Sequence, residues 1–257
     1  MKKILITMSA AMILLASCKK DDHNSGGIFK GPVKNFQQGK ATTWVQLDKN
    51  GKPEKLAITI DAAAMNSLDP GSDAPGEDEM NSVSIPFPNK AGVTPFTHAL
   101  IDWNPHGHEP AGIYDQPHFD FHFYMESEAE RLTIPLYQQD SSKFLNYPAP
   151  EYLPANYFNA GGGVPQMGCH WIDVTSPELH GQLFTQTFLY GSYNGNVTFY
   201  EPMITKAFID ANSSFERQIP VPSKFKIAGY YPTKMTLSTI QGAVTVTLEN
   251  FVYRQAS

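Results

Sequence analysis

Apolar and polar residues alternate with a period of two through most of the chain, the period that sends successive side chains to opposite faces of a β-strand. Thr43, Val45 and Leu47 alternate, Asp48-Lys-Asn-Gly-Lys-Pro53 supplies turn residues, and Leu56, Ile58 and Ile60 alternate again. Residues 42–60 are therefore expected to form a hairpin. Phe184–Tyr190 and Val197–Tyr200 flank Tyr193-Asn-Gly-Asn196, whose Asn-Gly pair favours the positive φ angles of a tight hairpin turn. Strand patterns also resume at Val83, run from Phe96 to Trp103, and return at Val244, Val246, Leu248 and Phe251–Tyr253. Helical patterns are short, namely Asp61–Leu68 with Asp61 as N-cap, and Glu126–Leu132. Many short strands between Gly/Pro turns predict a mainly β fold: a single sandwich or barrel-like domain with two or three short helices.

Two stretches interrupt the alternation. Asp69–Asn81 is acidic and rich in Gly and Pro, and reads as a surface loop. Ser141–Gly168 contains four prolines and the run Gly161-Gly-Gly163, and reads as a long irregular excursion of the kind that covers a site or wraps the surface. The glycine run is not a phosphate loop, because no Lys-Ser or Lys-Thr pair follows it.

One strand pattern carries chemistry. In residues 118–124, His118, Asp120 and His122 alternate with Phe119, Phe121 and Phe123, so a strand would present donors on one face and aromatic rings on the other. The wider segment His106–Tyr124 holds four of the chain's eight histidines. Imidazoles and carboxylates suit zinc, iron, manganese or copper, and a pair two residues apart on a strand projects to one side. His106 with His108 meets that spacing, as do His118 with Asp120 and Asp120 with His122. A straight strand separates residues 118 and 122 by about 13 Å, so a mononuclear centre is expected to draw on several segments. His170, in Gly168-Cys-His-Trp171, is the expected imidazole from a distant strand, and Glu201, at the end of the second hairpin, a further ligand or partner of one. The expected ligands of a divalent zinc, iron or manganese ion are thus His106, His108, His118, His122, His170 and Glu201. Asp120 or Glu109 is the expected base. The plainer alternative puts the same histidines on the polar face of an amphipathic strand. His23 and His180 read as surface groups.

The N-terminus changes where such chemistry would take place. Lys2 and Lys3 precede the apolar run Ile4–Leu15, which is too short to span a bilayer and has the form of a signal peptide. The run ends in Leu15-Ala-Ser-Cys18, which resembles a bacterial lipobox. That resemblance implies cleavage before Cys18, lipidation of Cys18 and a protein tethered outside the cytoplasm, at the outer membrane facing the periplasm or the cell surface. Residues 1–17 are then the signal, 18–35 a flexible tether and 36–257 one domain. Cleavage removes Lys2 and Lys3 and no acidic residue, so the net charge moves from −6 to −8. With its basic residues scattered, the chain offers no footprint for nucleic acid. The expected partners are the membrane, through the lipid, and a small-molecule ligand. Cys169 has no intramolecular partner once Cys18 is modified, and reads as a buried small residue.

Several stretches together resemble a family of mostly exported bacterial domains of unknown function. They are Ala41-Thr-Thr-Trp-Val45 with Asn50-Gly-Lys-Pro53, Gly107-His-Glu-Pro110 with Pro117-His-Phe-Asp-Phe-His-Phe-Tyr124, Met167-Gly-Cys-His-Trp171, Tyr190-Gly-Ser-Tyr193 with Glu201-Pro-Met-Ile204, and Phe251-Val-Tyr-Arg254. Some similar sequences carry a hydroxyquinol dioxygenase label. Intradiol dioxygenases hold iron through two tyrosines and a His-x-His pair that follows an arginine, whereas His106-Gly-His108 follows Asn104-Pro105. Cupins also use His-x-His on a β-sandwich, with a glutamate four residues on, where Gly112 stands here. The readings that emerge are a metal-dependent oxygenase or hydrolase and, from another class, a binding or envelope-structural module without turnover.

Overall fold

The computed structural model describes residues 26–71 and 81–257. The expected signal peptide, Cys18 and most of the acidic loop lie outside the described residues. Two antiparallel sheets carry the fold. The first has six strands in the order β1 (Gly27–Phe36), β2 (Gly39–Leu47), β3 (Pro53–Ile60), β14 (Ala243–Glu249), β13 (Lys234–Ile240) and β11 (Ser214–Gln218). The second has seven, in the order β4 (Ser82–Pro86), β5 (His98–Asn104), β6 (His118–Tyr124), β10 (Asn196–Thr205), β9 (Gln186–Tyr193), β8 (Cys169–Asp173) and β7 (Tyr157–Asn159). Strands β12 (Gly229–Tyr231) and β15 (Val252–Arg254) form a small separate pair.

The sheets meet face to face because alternate residues of each are apolar. Val45, Leu56, Ile58, Val246 and Leu248 of the first sheet share one buried cluster with Ile101, Phe119, Phe121, Phe123 and Tyr200 of the second. Fully burying each such side chain stabilises the fold by roughly 1.5–3 kcal/mol. The expected mainly β sandwich is therefore what forms. It carries four short α-helices among the described residues rather than two or three: α1 (Ala62–Met65), α2 (Glu128–Arg131), α3 (Ser141–Phe144) and α4 (Lys206–Ala211). Asp61 caps α1 by accepting from the Ala64 amide at 2.8 Å. The extra helices α3 and α4 are single turns or little more, below the length at which an amphipathic period can be read.

The tether expected over residues 18–35 needs correction at its C-terminal end. Residues 27–36 form edge strand β1, paired antiparallel with β2 from Gly27 opposite Leu47 to Phe36 opposite Gly39. Most of its side chains face solvent, and this polar edge composition is what imitates a linker. The excursion over 141–168 contains α3 and β7, and Phe144 packs there with Ile134 and the buried Cys169.

Candidate metal centre

The donors stand on the face of the second sheet that points away from the first. On β6 the period of two sends Phe119, Phe121 and Phe123 into the core and His118, Asp120 and His122 to the other side. All seven residues of β6 are nevertheless buried, because the opposite face is covered by loops. Neighbouring strands add to that face through their register. Asp102 of β5 lies opposite Asp120, and Asn104 opposite His118. On the other side, Phe199 pairs with Tyr124 and Met203 with Asp120, which brings Glu201 of β10 level with His122. Strand β8 sets His170 opposite Gly191 of β9, itself paired with Phe199.

Six side chains gather into two sets of three. His108, His118 and Asp120 present donor atoms all within 4.8 Å of one another, and so do His122, His170 and Glu201. In the first set Asp120 divides its oxygens, Oδ2 lying 3.2 Å from His108 Nε2 and Oδ1 3.1 Å from His118 Nε2. Glu201 does the same in the second, with Oε1 3.3 Å from His122 Nε2 and Oε2 3.6 Å from His170 Nε2. Five of these six, all but the fully buried His118, line one cavity of about 810 Å³ whose walls include Trp103, Tyr114, Met167, Ile172 and Leu189.

The outer nitrogens explain how the rings are aimed. His118 Nδ1 lies 2.6 Å from the Gln116 carbonyl and His108 Nδ1 2.6 Å from the Glu109 carbonyl. A carbonyl can only accept, so each Nδ1 donates to it and the Nε2 of each ring is left turned toward Asp120. His122 Nδ1 stands 3.3 Å from Asp102 Oδ2. This is the outer hydrogen-bonding pattern that orients metal-ligating histidines. Several facing atoms are close yet misdirected for hydrogen bonding: His118 Nε2, Asp120 Oδ1, both ring nitrogens of His122 and Glu201 Oε2 are buried without a hydrogen-bond partner. Lone pairs that converge on a common point rather than on each other are what a shared cation requires.

The same crowding displaces the ionisation of the donors. Burial alone would lower His108, but the Asp120 carboxylate holds its imidazole up at about 9. Burial would raise Asp120, yet His108 and His118 keep it well below the usual carboxylate range. His122 is likewise lowered by burial and raised further by Glu201 and Asp102, to about 9. Glu201 is pushed upward by burial, against the pull of His122, and burial takes His170 down to about 3.

His106 joins neither set. Expected to share a strand face with His108, it lies instead in the loop between β5 and β6, where Gly107 has φ +71° and reverses the chain. A Cβ on Gly107 would come within 2.1 Å of the Tyr114 carbonyl oxygen, so the turn depends on glycine. The exposed His106 remains at the cavity mouth, as does Glu109, whose Oε2 accepts from the Ala111 amide at 3.1 Å. His180 is exposed and engages the Val174 carbonyl at 2.8 Å. Three polar groups escaped the reading of the sequence: Asp102, Asn104, whose Nδ2 donates to Asp120 Oδ2 at 2.8 Å, and the buried, unpartnered Tyr114 hydroxyl. The alternation of Asp102 and Asn104 with the core residues Ile101 and Trp103 was the available signal for two of them.

Comparison with known proteins touches only one end of this arrangement. A model of a TTHB210-like family, described as hypothetical protein TTHB210, matches residues 48–103. The chain is similar to that family over this stretch. The match runs from the turn after β2 into β5, and of the donors and their direct partners it includes Asp102 alone. No curated protein and no solved structure matches the chain.

Proposed function

We propose that this protein is a metal-dependent enzyme anchored outside the cytoplasm through Cys18, binding a divalent ion at His108, His118 and Asp120. The supporting observation is the aim of the two imidazoles: Nδ1 of each is tied to a backbone carbonyl while Nε2 converges with the Asp120 carboxylate. Three protein donors leave coordination positions open for substrate and for water or dioxygen. Two imidazoles with one carboxylate are the donor set of iron(II) oxygenases, and the largely apolar walls at Trp103, Met167, Ile172 and Leu189 suit an aromatic or aliphatic small molecule with dioxygen. Asp120, with both oxygens engaged by imidazoles, acts as a ligand, and Glu109 at the mouth is the base within reach of substrate. The same donor set binds zinc in hydrolases, where the ion would lower the pKa of bound water.

The test begins with elemental analysis of the purified protein, followed by addition of iron(II) under anaerobic conditions and nitric oxide as a dioxygen surrogate. Bound iron with the paramagnetic signal of a nitric oxide complex is expected. Zinc bound to the exclusion of iron would turn the reading to hydrolysis, and failure to retain zinc, iron or manganese would overturn the metal centre.

A further inference from the structure

The geometry points to a second divalent ion in the same cavity, held by His122, His170 and Glu201 independently of the first. This inference rests on the metal reading of the cavity and deepens it from one ion to two. The two sets share no donor, since Asp120 spends both oxygens on His108 and His118, and Glu201 both of its oxygens on His122 and His170. His118 and His122 stand four residues apart on one extended strand, about 13 Å along its length, so their parallel rings do not converge on one ion. A mononuclear centre would leave one complete set unused.

The unused set would be the more deeply buried one. His122 and Glu201 are each 1% exposed, and both nitrogens of His122 and Oε2 of Glu201 lack hydrogen-bond partners. Two carboxylates flank the His122 ring, Asp102 at 3.3 Å from Nδ1 and Glu201 at 3.3 Å from Nε2. A divalent ion at Nε2 gives the unpartnered Glu201 Oε2 and the His170 Nε2 that faces it at 3.6 Å a common partner. Asp102 then assumes the outer position of a carboxylate–histidine–metal triad, and it is itself fixed by a hydrogen bond from Ser82 Oγ to Oδ1. Two nitrogens and one oxygen suit zinc, iron or manganese rather than calcium or magnesium, which take oxygen ligands.

The two ions differ in access. His108 comes from the β5–β6 loop and its side chain is 37% exposed, so the outer ion sits at the mouth. The inner set is less open, its most accessible donor, His170, having a side chain 19% exposed, and the Phe199 ring packs edge-on against His122 and His170 with centroids 5.0 Å and 5.2 Å away. The inner ion should therefore leave far more slowly when a chelator is added.

The experiment is zinc stoichiometry on the whole protein, with anomalous scattering from crystals of the zinc-loaded form and two variants, His118→Gln and His170→Gln. Two zinc ions per chain are expected, one removed quickly by dipicolinate and one slowly. His118→Gln should lose the fast ion and His170→Gln the slow one. One ion per chain with a single anomalous peak, whether lost in one variant or in both, overturns the second site while leaving a metal centre in place. No zinc in the wild type, with no iron or manganese retained either, overturns both readings. Should a variant fail to fold, the wild-type stoichiometry and the number of anomalous peaks still decide.

Discussion

His98 shows what burial does to an imidazole whose direct partner is neutral. It lies on the same face as the donors, opposite Tyr124, and stacks on that ring with centroids 4.8 Å apart. Its Nδ1 lies 3.0 Å from the Thr97 hydroxyl, and its buried Nε2 has no hydrogen-bond partner. Burial, helped by the charge of Arg131, pushes it down to about 4, whereas His108 and His122, which face carboxylates, rise to about 9. The sign of the linkage follows. The unfolded chain takes up the His98 proton near 6.5 and the folded chain only near 4, so the contribution is complete above pH 6.5 and is lost as pH falls toward 4. At 1.36 kcal/mol per pKa unit this loss amounts to about 3 kcal/mol. His98→Gln should therefore lose less stability than wild type between pH 6.5 and 4.5 in urea denaturation. Equal losses in the two proteins would exclude His98 as a source of acid lability.

At the scale of elements, the alternation in β6 made both of its faces legible, because a strand's period fixes which residues point together whatever lies above them. Strand register was not legible. It alone brings Asp102 and Glu201 to the flanks of His122 and parts the donors into two sets, through hydrogen bonds between segments far apart in the chain. The His106-Gly-His108 pair misled for a local reason: a strand spacing holds only on a strand, and Gly107 turns the chain there. Residues 27–36 misled because an edge strand and a linker share a polar composition. Register also explains Gly191. A Cβ at this position would fall 2.0 Å from the ring of Phe199, the residue it faces on β10. Phe199 would have to shift, and its ring is the spacer behind His122 and His170. Gly191→Ala is expected to cost about 1–3 kcal/mol through overpacking. It should also weaken retention of the inner ion although no donor is altered. Unchanged melting with an unchanged rate of zinc loss to dipicolinate would show that Phe199 does not position those imidazoles.

For the whole molecule, the sandwich separates two tasks. One face of the second sheet closes the core against the first sheet, while the other carries the cavity, so the donors can respond to a ligand without being the groups that hold the sheets together. The proposed anchor is separable again. Eight residues, 19–26, lie between Cys18 and the start of β1, a length of chain that reaches about 28 Å at most. Among the described residues no helix is long and apolar enough to cross a membrane, so the proposed attachment rests on acyl chains, each buried methylene adding about 0.8 kcal/mol. Cys18→Ala is accordingly expected to move the protein from the membrane pellet to the soluble fraction. Its metal content and melting should stay at wild-type values, because every donor lies between His108 and Glu201 on strands of the sandwich or the loop that joins them. Membrane association that survives the substitution would exclude the lipid as the anchor. A loss of metal on release would mean instead that the site depends on the membrane surface, and that the sandwich does not organise its cavity alone.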